Sequence, residues 1–123
     1  MANNKHTITD AEYQIMQILW ESGKSMTVSD VVNKLCGNDW TASTVSTFLQ
    51  RLLKKEVVGC DKKGKTNLYY PRLSQSEYDL SETENFLSKI YKGSAKNLVA
   101  ALFENRKLSK EDVSELRKMF DLE

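Results

Sequence analysis

The segment from Trp40 to Leu73, WTASTVSTFLQRLLKKEVVGCDKKGKTNLYYPRL, constrains this chain more than any other. Between Thr41 and Lys55 the residues Val45, Phe48, Leu49 and Leu52 recur at helical spacing and form one apolar stripe, with Ala42 and Leu53 at its margin. Ser43, Ser46, Thr47, Gln50, Arg51 and Lys54 fall on the opposite side. No Asp or Glu interrupts the run from Trp40 to Lys55, and its hydroxyls gather toward the N-terminal end. Directly afterwards, Val57 to Asp61 and Thr66 to Pro71 carry β-branched and aromatic residues, with Lys62-Lys63-Gly64-Lys65 between them. Gly64 supplies the positive φ that a tight turn needs. The pattern predicts a helix running straight into a two-stranded antiparallel hairpin with a lysine-rich tip.

A helix feeding into such a hairpin is how a winged helix-turn-helix domain is built, and such domains place their second helix in the DNA major groove. Hydroxyls and amides can hydrogen-bond base edges or phosphates, and Arg can hold guanine with two bonds. On this reading Ser43, Ser46, Thr47, Gln50 and Arg51 read bases or position the helix. Thr27, Ser29, Thr41, Thr44, Lys54 and Lys55 hold phosphates, and Lys62, Lys63 and Lys65 grip the flanking backbone. Seven cations (Arg51, Lys54, Lys55, Lys62, Lys63, Lys65, Arg72) stand against two anions (Glu56, Asp61) between Arg51 and Arg72. That local charge of +5 sits in a chain whose formal net charge is only +1, the footprint expected of a DNA-facing surface. Other readings stay open. The helix face also fits an ordinary solvated surface, and the lysines fit a hairpin edge guarded against aggregation. A winged-helix module docking an acidic protein would look the same.

The rest of the composition narrows the field. With 123 residues the chain fits one domain or two small lobes. No apolar run approaches the roughly 20 residues of a membrane helix, and the N-terminus, MANNKHTITD, lacks the apolar core of a secretory signal. A cytoplasmic protein without membrane insertion is expected. Cys36 and Cys60 lie far apart, and His6 is the single histidine, so no zinc constellation or other cofactor site emerges. Both cysteines read as small, partly buried hydrophobes, with a redox pair as the alternative. Nothing gathers into a set of catalytic groups, so an enzyme is not expected.

Along the chain, Thr9 or Asp10 caps a first helix whose inner face is Ile15, Ile18 and Leu19, with Met16 or Trp20 at its edges, and Gly23 ends it. Thr27 to Asp30 starts a second helix, VSDVVNKLC, with Val28, Val31, Val32 and Leu35 inward and Gly37 as its stop. Asn38-Asp39-Trp40 is the turn into the third helix, with Trp40 packed beneath it, and Met26 to Val28 pairs with the hairpin as a short third strand. After Pro71 the character changes. Ser74 to Tyr91 reads as a long helix, Lys92-Gly93-Ser94 breaks it, and two more helices follow. After the apolar Tyr78 and Leu80 of the long helix come Phe86, Leu87, Ile90, Tyr91, Leu98, Val99, Leu102, Phe103, Val113, Leu116, Met119 and Phe120. About 50 residues in three helices rarely hold a core alone. These residues are therefore expected to form a homodimer interface, with folding back onto the first lobe as the alternative. The expected fold is mainly α with a small antiparallel β-sheet. A winged helix-turn-helix domain over residues 1–73 precedes a three-helix dimerisation domain over 74–123.

With both halves placed, the chain resembles the BlaI/MecI family of penicillinase repressors over nearly its whole length. The carrying residues are ITDAEYQIMQILW (Ile8 to Trp20), WTASTVSTFLQRLLKKEVV (Trp40 to Val58), YYPRLSQSEY (Tyr69 to Tyr78), and FLSKIYKGSAKNLVAALFE with LSKEDVSELRKMF (Phe86 to Phe120). The resemblance implies a dimeric repressor on a palindromic double-stranded DNA operator, controlling a β-lactamase, penicillin-binding-protein or related stress gene in antibiotic resistance. It implies release when a membrane sensor-transducer protease leads to cleavage in the dimerisation helices, at a bond that maps onto Ala101-Leu102. Family members carry Asn-Phe there. Close relatives also carry cations near Ser43 and Ser46, which implies a different operator or a smaller phosphate contribution here. A copper-responsive branch ends in clustered cysteines, but this chain has none after Cys60, so copper sensing is not implied. A repressor of the same family answering another signal is the alternative.

Overall fold

The structure, a computed structural model, describes residues 7–35, 37 and 39–122. Its elements are α1 (Asp10–Ser22), α2 (Val28–Lys34), α3 (Ala42–Lys54), β1 (Val58–Lys63), β2 (Thr66–Pro71), α4 (Gln75–Tyr91), α5 (Ala95–Glu104) and α6 (Lys110–Met119). The fold is mainly α with one small antiparallel sheet, as the sequence predicts. The chain divides into two compact units, one ending at Ser81 and the other starting at Glu82.

In the first unit each helix start follows from a capping residue. The Thr9 hydroxyl accepts from the Glu12 amide while the Glu12 carboxylate accepts from the Thr9 amide, a reciprocal capping box. Thr27 and Asp30 do the same for α2, and the Thr41 hydroxyl accepts from the Thr44 amide to start α3. Helix α2 stops at Lys34, earlier than its apolar pattern suggests, because Leu35 turns extended. Cys36 and Asn38 lie outside the described residues.

The three helices close over a core of Ile15, Met16, Leu19, Met26, Val31, Val45, Leu49, Leu52, Val57, Val58 and Tyr69. Met16, assigned by its spacing to the edge of α1, is fully buried. Of the four inward residues expected in α2, Val31 is buried and Val28, Val32 and Leu35 are packed partly against the core. The hairpin pairs Val58 with Pro71 through to Lys63 with Thr66, leaving Gly64-Lys65 as a two-residue turn with Gly64 at φ 65°. Met26 joins the sheet through a single bridge to Tyr69, with Met26 N–H donating to Tyr69 O at 2.8 Å and Tyr69 N–H to Met26 O at 2.7 Å. Gly59 allows the ring of its cross-strand partner Tyr70 to lie over the backbone, where any Cβ would overlap it.

The first turns of α4 belong to this unit because Tyr78 is buried there. Its ring lies 5.9 Å from Tyr13 and 6.0 Å from Trp20. Tyr13 donates to Asp79 Oδ1 at 3.0 Å, and Trp20 Nε1 donates to the Leu73 carbonyl at 2.9 Å. Trp20, placed by its spacing at the edge of α1, is thus covered by aromatic stacking with Tyr13 and Tyr78.

The second unit holds the remainder of α4, then α5 capped by Ser94 and α6 capped by a Ser109–Asp112 box. No described residue of α5 or α6 is buried, and the one buried residue of α4 is Tyr78. Phe86, Ile90, Val99, Leu102, Phe103, Leu116, Met119 and Phe120 are all exposed, from 38% for Leu102 to 70% for Met119.

Helix α3 ends in a Schellman motif. Glu56 N–H donates to Leu53 O at 3.0 Å and Val57 N–H to Leu52 O at 3.1 Å, with buried Leu52 and Val57 in register for the accompanying apolar contact. The motif requires a left-handed residue, and Glu56 occupies it at φ 63°. A side chain there is strained by about 1 kcal/mol relative to glycine. Glu56→Gly is expected to stabilise the chain by about 0.5–1 kcal/mol, read as a higher urea midpoint at unchanged slope. A lower midpoint would show that the Glu56 side chain contributes more than its backbone strain removes.

Candidate nucleic-acid interface

The α3 sequence alternates between core and surface, and the fold sorts it accordingly. Val45, Leu49 and Leu52 are buried; Ser43, Thr47, Gln50, Arg51 and Lys54 are exposed, and Thr44 and Ser46 are half-buried. One helical face therefore carries hydroxyls, an amide and two cations with no acid, the arrangement its periodicity predicts. Trp40 packs beneath it, its ring 5.1 Å from that of Phe48. The Arg51 guanidinium sits 5.9 Å from the centre of the Phe48 ring, a contact that narrows the range of a long side chain.

Several of these groups already have partners within the fold. Thr47 Oγ1 donates to the Ser43 carbonyl at 3.1 Å, which leaves its oxygen outward as an acceptor. Thr41 Oγ1 serves the α3 cap and also donates to Thr44 Oγ1 at 3.3 Å. Thr27 is occupied as the α2 cap, with the Asp30 carboxylate beside it. The Thr27 amide and hydroxyl hold that carboxyl below its ordinary range, so Thr27 has an anion as its neighbour. Ser29, one residue further along, is exposed. Gln50 Nε2 donates to the Tyr69 hydroxyl at 2.8 Å.

Lys62, Lys63 and Lys65 are exposed at the far end of the hairpin. The sequence groups them as one tip, but Lys62 and Lys63 are the last two residues of β1 and only Lys65 lies in the turn. Neighbouring strand residues point to opposite faces, so Lys62 and Lys63 project to different sides of the hairpin.

Lys55 has a structural partner that its place in a basic run conceals. Its Nζ lies 2.6 Å from Glu12 Oε1, and Glu12 is 1% exposed while the Lys55 side chain keeps 30%. Glu12 Oε2 has no hydrogen-bond partner among the described residues. Burial pushes the Glu12 carboxyl up, yet the Lys55 ammonium and the Thr9 amide and hydroxyl together hold it below its ordinary value. The Thr-x-x-Glu spacing of Thr9 and Glu12 signals a cap but cannot signal burial, because the burying cation comes from 43 residues away. Cys60 is half-buried, as expected, on β1 opposite Tyr69. No group of His, Cys, Asp and Glu among the described residues could hold a metal ion. No described helix is long and apolar enough to cross a membrane.

Three helices, a hairpin that follows the third directly, and one further bridging strand residue define a winged helix-turn-helix protein. A family model described as penicillinase repressor matches residues 8–121. The penicillinase repressor of Bacillus licheniformis is 30% identical over 115 residues, spanning 93% of this chain and 89% of that protein. The methicillin resistance regulatory protein MecI of Staphylococcus aureus (strain N315) is 30% identical over 122 residues, 98% of each chain. The solution structure of the DNA binding domain of the repressor BlaI is similar at TM-score 0.52 and 30% identity, covering 63% of this chain and 94% of that domain. The chain belongs to the penicillinase repressor family.

Because the folded-state carboxyl of Glu12 titrates below its ordinary value, the pair stabilises the fold above the ordinary carboxylate range. That contribution is lost as pH falls through the depressed value. Lys55→Ala is expected to destabilise by about 1–3 kcal/mol near neutral pH. This is less than the ~3–5 kcal/mol of a fully buried pair, because Lys55 stays partly solvated. Glu12→Gln should flatten the acid limb of a stability–pH profile. Urea unfolding of the two variants across the acid range checks both; a Glu12→Gln profile parallel to the parent's would remove the pair from the acid transition.

Proposed function

We propose that this chain is a cytoplasmic, dimeric, sequence-specific DNA-binding transcriptional repressor. Its target would be a β-lactamase, penicillin-binding-protein or related stress gene. The observation that carries the reading is the acid-free outer face of α3, presented beside an exposed lysine-bearing hairpin. Ser43, Ser46, Thr47, Gln50 and Arg51 would face the major groove. Thr44, Lys54 and Ser29 would meet phosphates, and Lys62, Lys63 and Lys65 the flanking backbone. Thr27 and Thr41 would act mainly by fixing their helix starts, and Lys55 by holding Glu12. The similarity to the BlaI DNA binding domain supports the same assignment.

Dimerisation would occur through α4, α5 and α6. Helices that leave every described apolar residue beyond Ser81 unburied lack a core of their own, and covering them takes a second apolar surface. A second copy satisfies this and matches a two-fold operator. The dimer face comprises Phe86, Leu87, Ile90, Tyr91, Leu98, Val99, Leu102, Phe103, Val113, Leu116, Met119 and Phe120. Relief by a sensor-linked protease at Ala101-Leu102 would sever this face. The Ala101 carbonyl accepts from both the Asn105 amide and Asn105 Nδ2, at 3.0 and 2.8 Å. Cleavage there would require the end of α5 to unwind. A second reading, a family repressor answering another signal, is favoured by Ala101-Leu102 standing where relatives carry Asn-Phe.

A gel-shift titration on the DNA immediately upstream of the gene, against scrambled duplex at two salt concentrations, tests the core of the proposal. A sequence-selective shift that weakens steeply with salt is expected. Indifference to sequence and salt would favour a module that docks an acidic protein. In the same assay Arg51→Ala should lose about 1–3 kcal/mol and relax preference at one base pair, whereas Lys63→Ala should lower the salt slope by about one with unchanged preference. Uniform weakening by Arg51→Ala would make it a phosphate contact. Phe103→Glu should shift sedimentation toward monomer with helicity lost from the second unit, on the scale of a hot-spot loss of about 2 kcal/mol or more. An unchanged dimer would place the interface elsewhere.

A further inference from the structure

We infer that Tyr69, a core residue, is a positioning residue for DNA reading, its hydroxyl fixing the amide of Gln50 so that α3 presents an adenine-reading edge. This rests on the DNA-binding assignment of α3 above. Gln50 is exposed on the outer face of α3, and its Nε2 donates to Tyr69 Oη at 2.8 Å. The anchor itself cannot wander. Tyr69 is 1% exposed, and its backbone is held on both sides by the paired hydrogen bonds to Met26. Burial raises the phenol above its ordinary value, so it stays protonated at neutral pH. A single buried oxygen therefore ties an exposed α3 side chain to β2.

The consequence for recognition follows from the inventory of the amide. A primary amide has two N–H donors and one carbonyl acceptor. With one N–H given to Tyr69, one N–H and Oε1 are left for a ligand. That donor–acceptor pair complements adenine N7 and N6, the usual bidentate partner of Gln. A free glutamine on a helix surface loses rotamer freedom when it binds; here the fold has removed much of that freedom beforehand. The reading element is thus Gln50, while its orientation is set by a residue that touches no base.

The test uses the full chain and a pool of randomised duplexes. Selection by the parent protein, by Gln50→Ala, by Tyr69→Phe and by the double variant gives four base-preference profiles, and unfolding curves show that each chain is folded. For the parent, adenine is expected at one position per half-site. Tyr69→Phe should lower that preference roughly fivefold or more and leave other positions and the salt slope unchanged. It should have no further effect on preference in the Gln50→Ala background. Failure of the parent to enrich any sequence would defeat the DNA assignment itself. Enrichment by the parent with an identical profile for Tyr69→Phe, or a uniform loss across positions, or a loss that persists without Gln50, would overturn the positioning role while leaving the repressor assignment intact.

Discussion

The junction between α3 and the hairpin, at residues 52–57, concentrates three constraints in one turn of chain. Leu52 and Val57 are both fully buried, so the helix must stop within a fixed distance. Glu56 makes the stop by entering a left-handed conformation that satisfies two carbonyls of the last turn. Lys55, between them, reaches back to the buried carboxylate that also caps α1. The direction in which the hairpin leaves α3 is therefore tied to the start of the first helix. Interior packing is close and does not deform continuously, so the lysines of the hairpin are held at a set offset from the polar face of α3.

The second unit follows the opposite logic. Its helices have good local signals: a hydroxyl cap for α5, a full capping box for α6, and left-handed residues at Arg106 and Asp121 closing each. Local signals of this kind contribute tenths to one or two kcal/mol apiece, whereas ordering each residue costs about 1–2 kcal/mol. Without buried apolar area the difference goes unmet. If the chain dimerises as proposed, folding and association of this unit would be one event, and a cut within α5 would be consequential for both.

The α3 surface is unusual in how its charge is arranged. Its first two turns offer hydroxyls and no cation, where the resemblance implied cations near Ser43 and Ser46. The positive charge comes instead from Arg51 and Lys54 in the last turn and from the hairpin beyond it. Lys55 adds less than its position suggests, since Glu12 neutralises it. On the proposed DNA-binding role, a surface of this kind would supply attraction from its flank and discrimination from its centre, the division expected when phosphates position and base edges specify.

The periodicity of α3, the hydroxyl caps, the Gly64 turn and the unpartnered apolar stripes of α4 to α6 are local features, and the sequence by itself determined them. Each depends on residues within one or two helical turns or one hairpin, where spacing alone dictates which groups meet. The match of Trp40 to Lys55 to a known family pattern was equally local. Only the tertiary structure decided that Glu12 is buried against Lys55, that Met16 lies inside, that Tyr13, Trp20 and Tyr78 form one aromatic cluster, and that Gln50 is held by Tyr69. These contacts join residues that are 19 to 65 positions apart or depend on the packing of three elements at once. In a linear sequence Glu12 is indistinguishable from a surface cap and Tyr69 from an ordinary strand aromatic. Their roles come from the neighbours that folding brings, because burial and hydrogen-bond geometry are properties of the assembled core rather than of any segment.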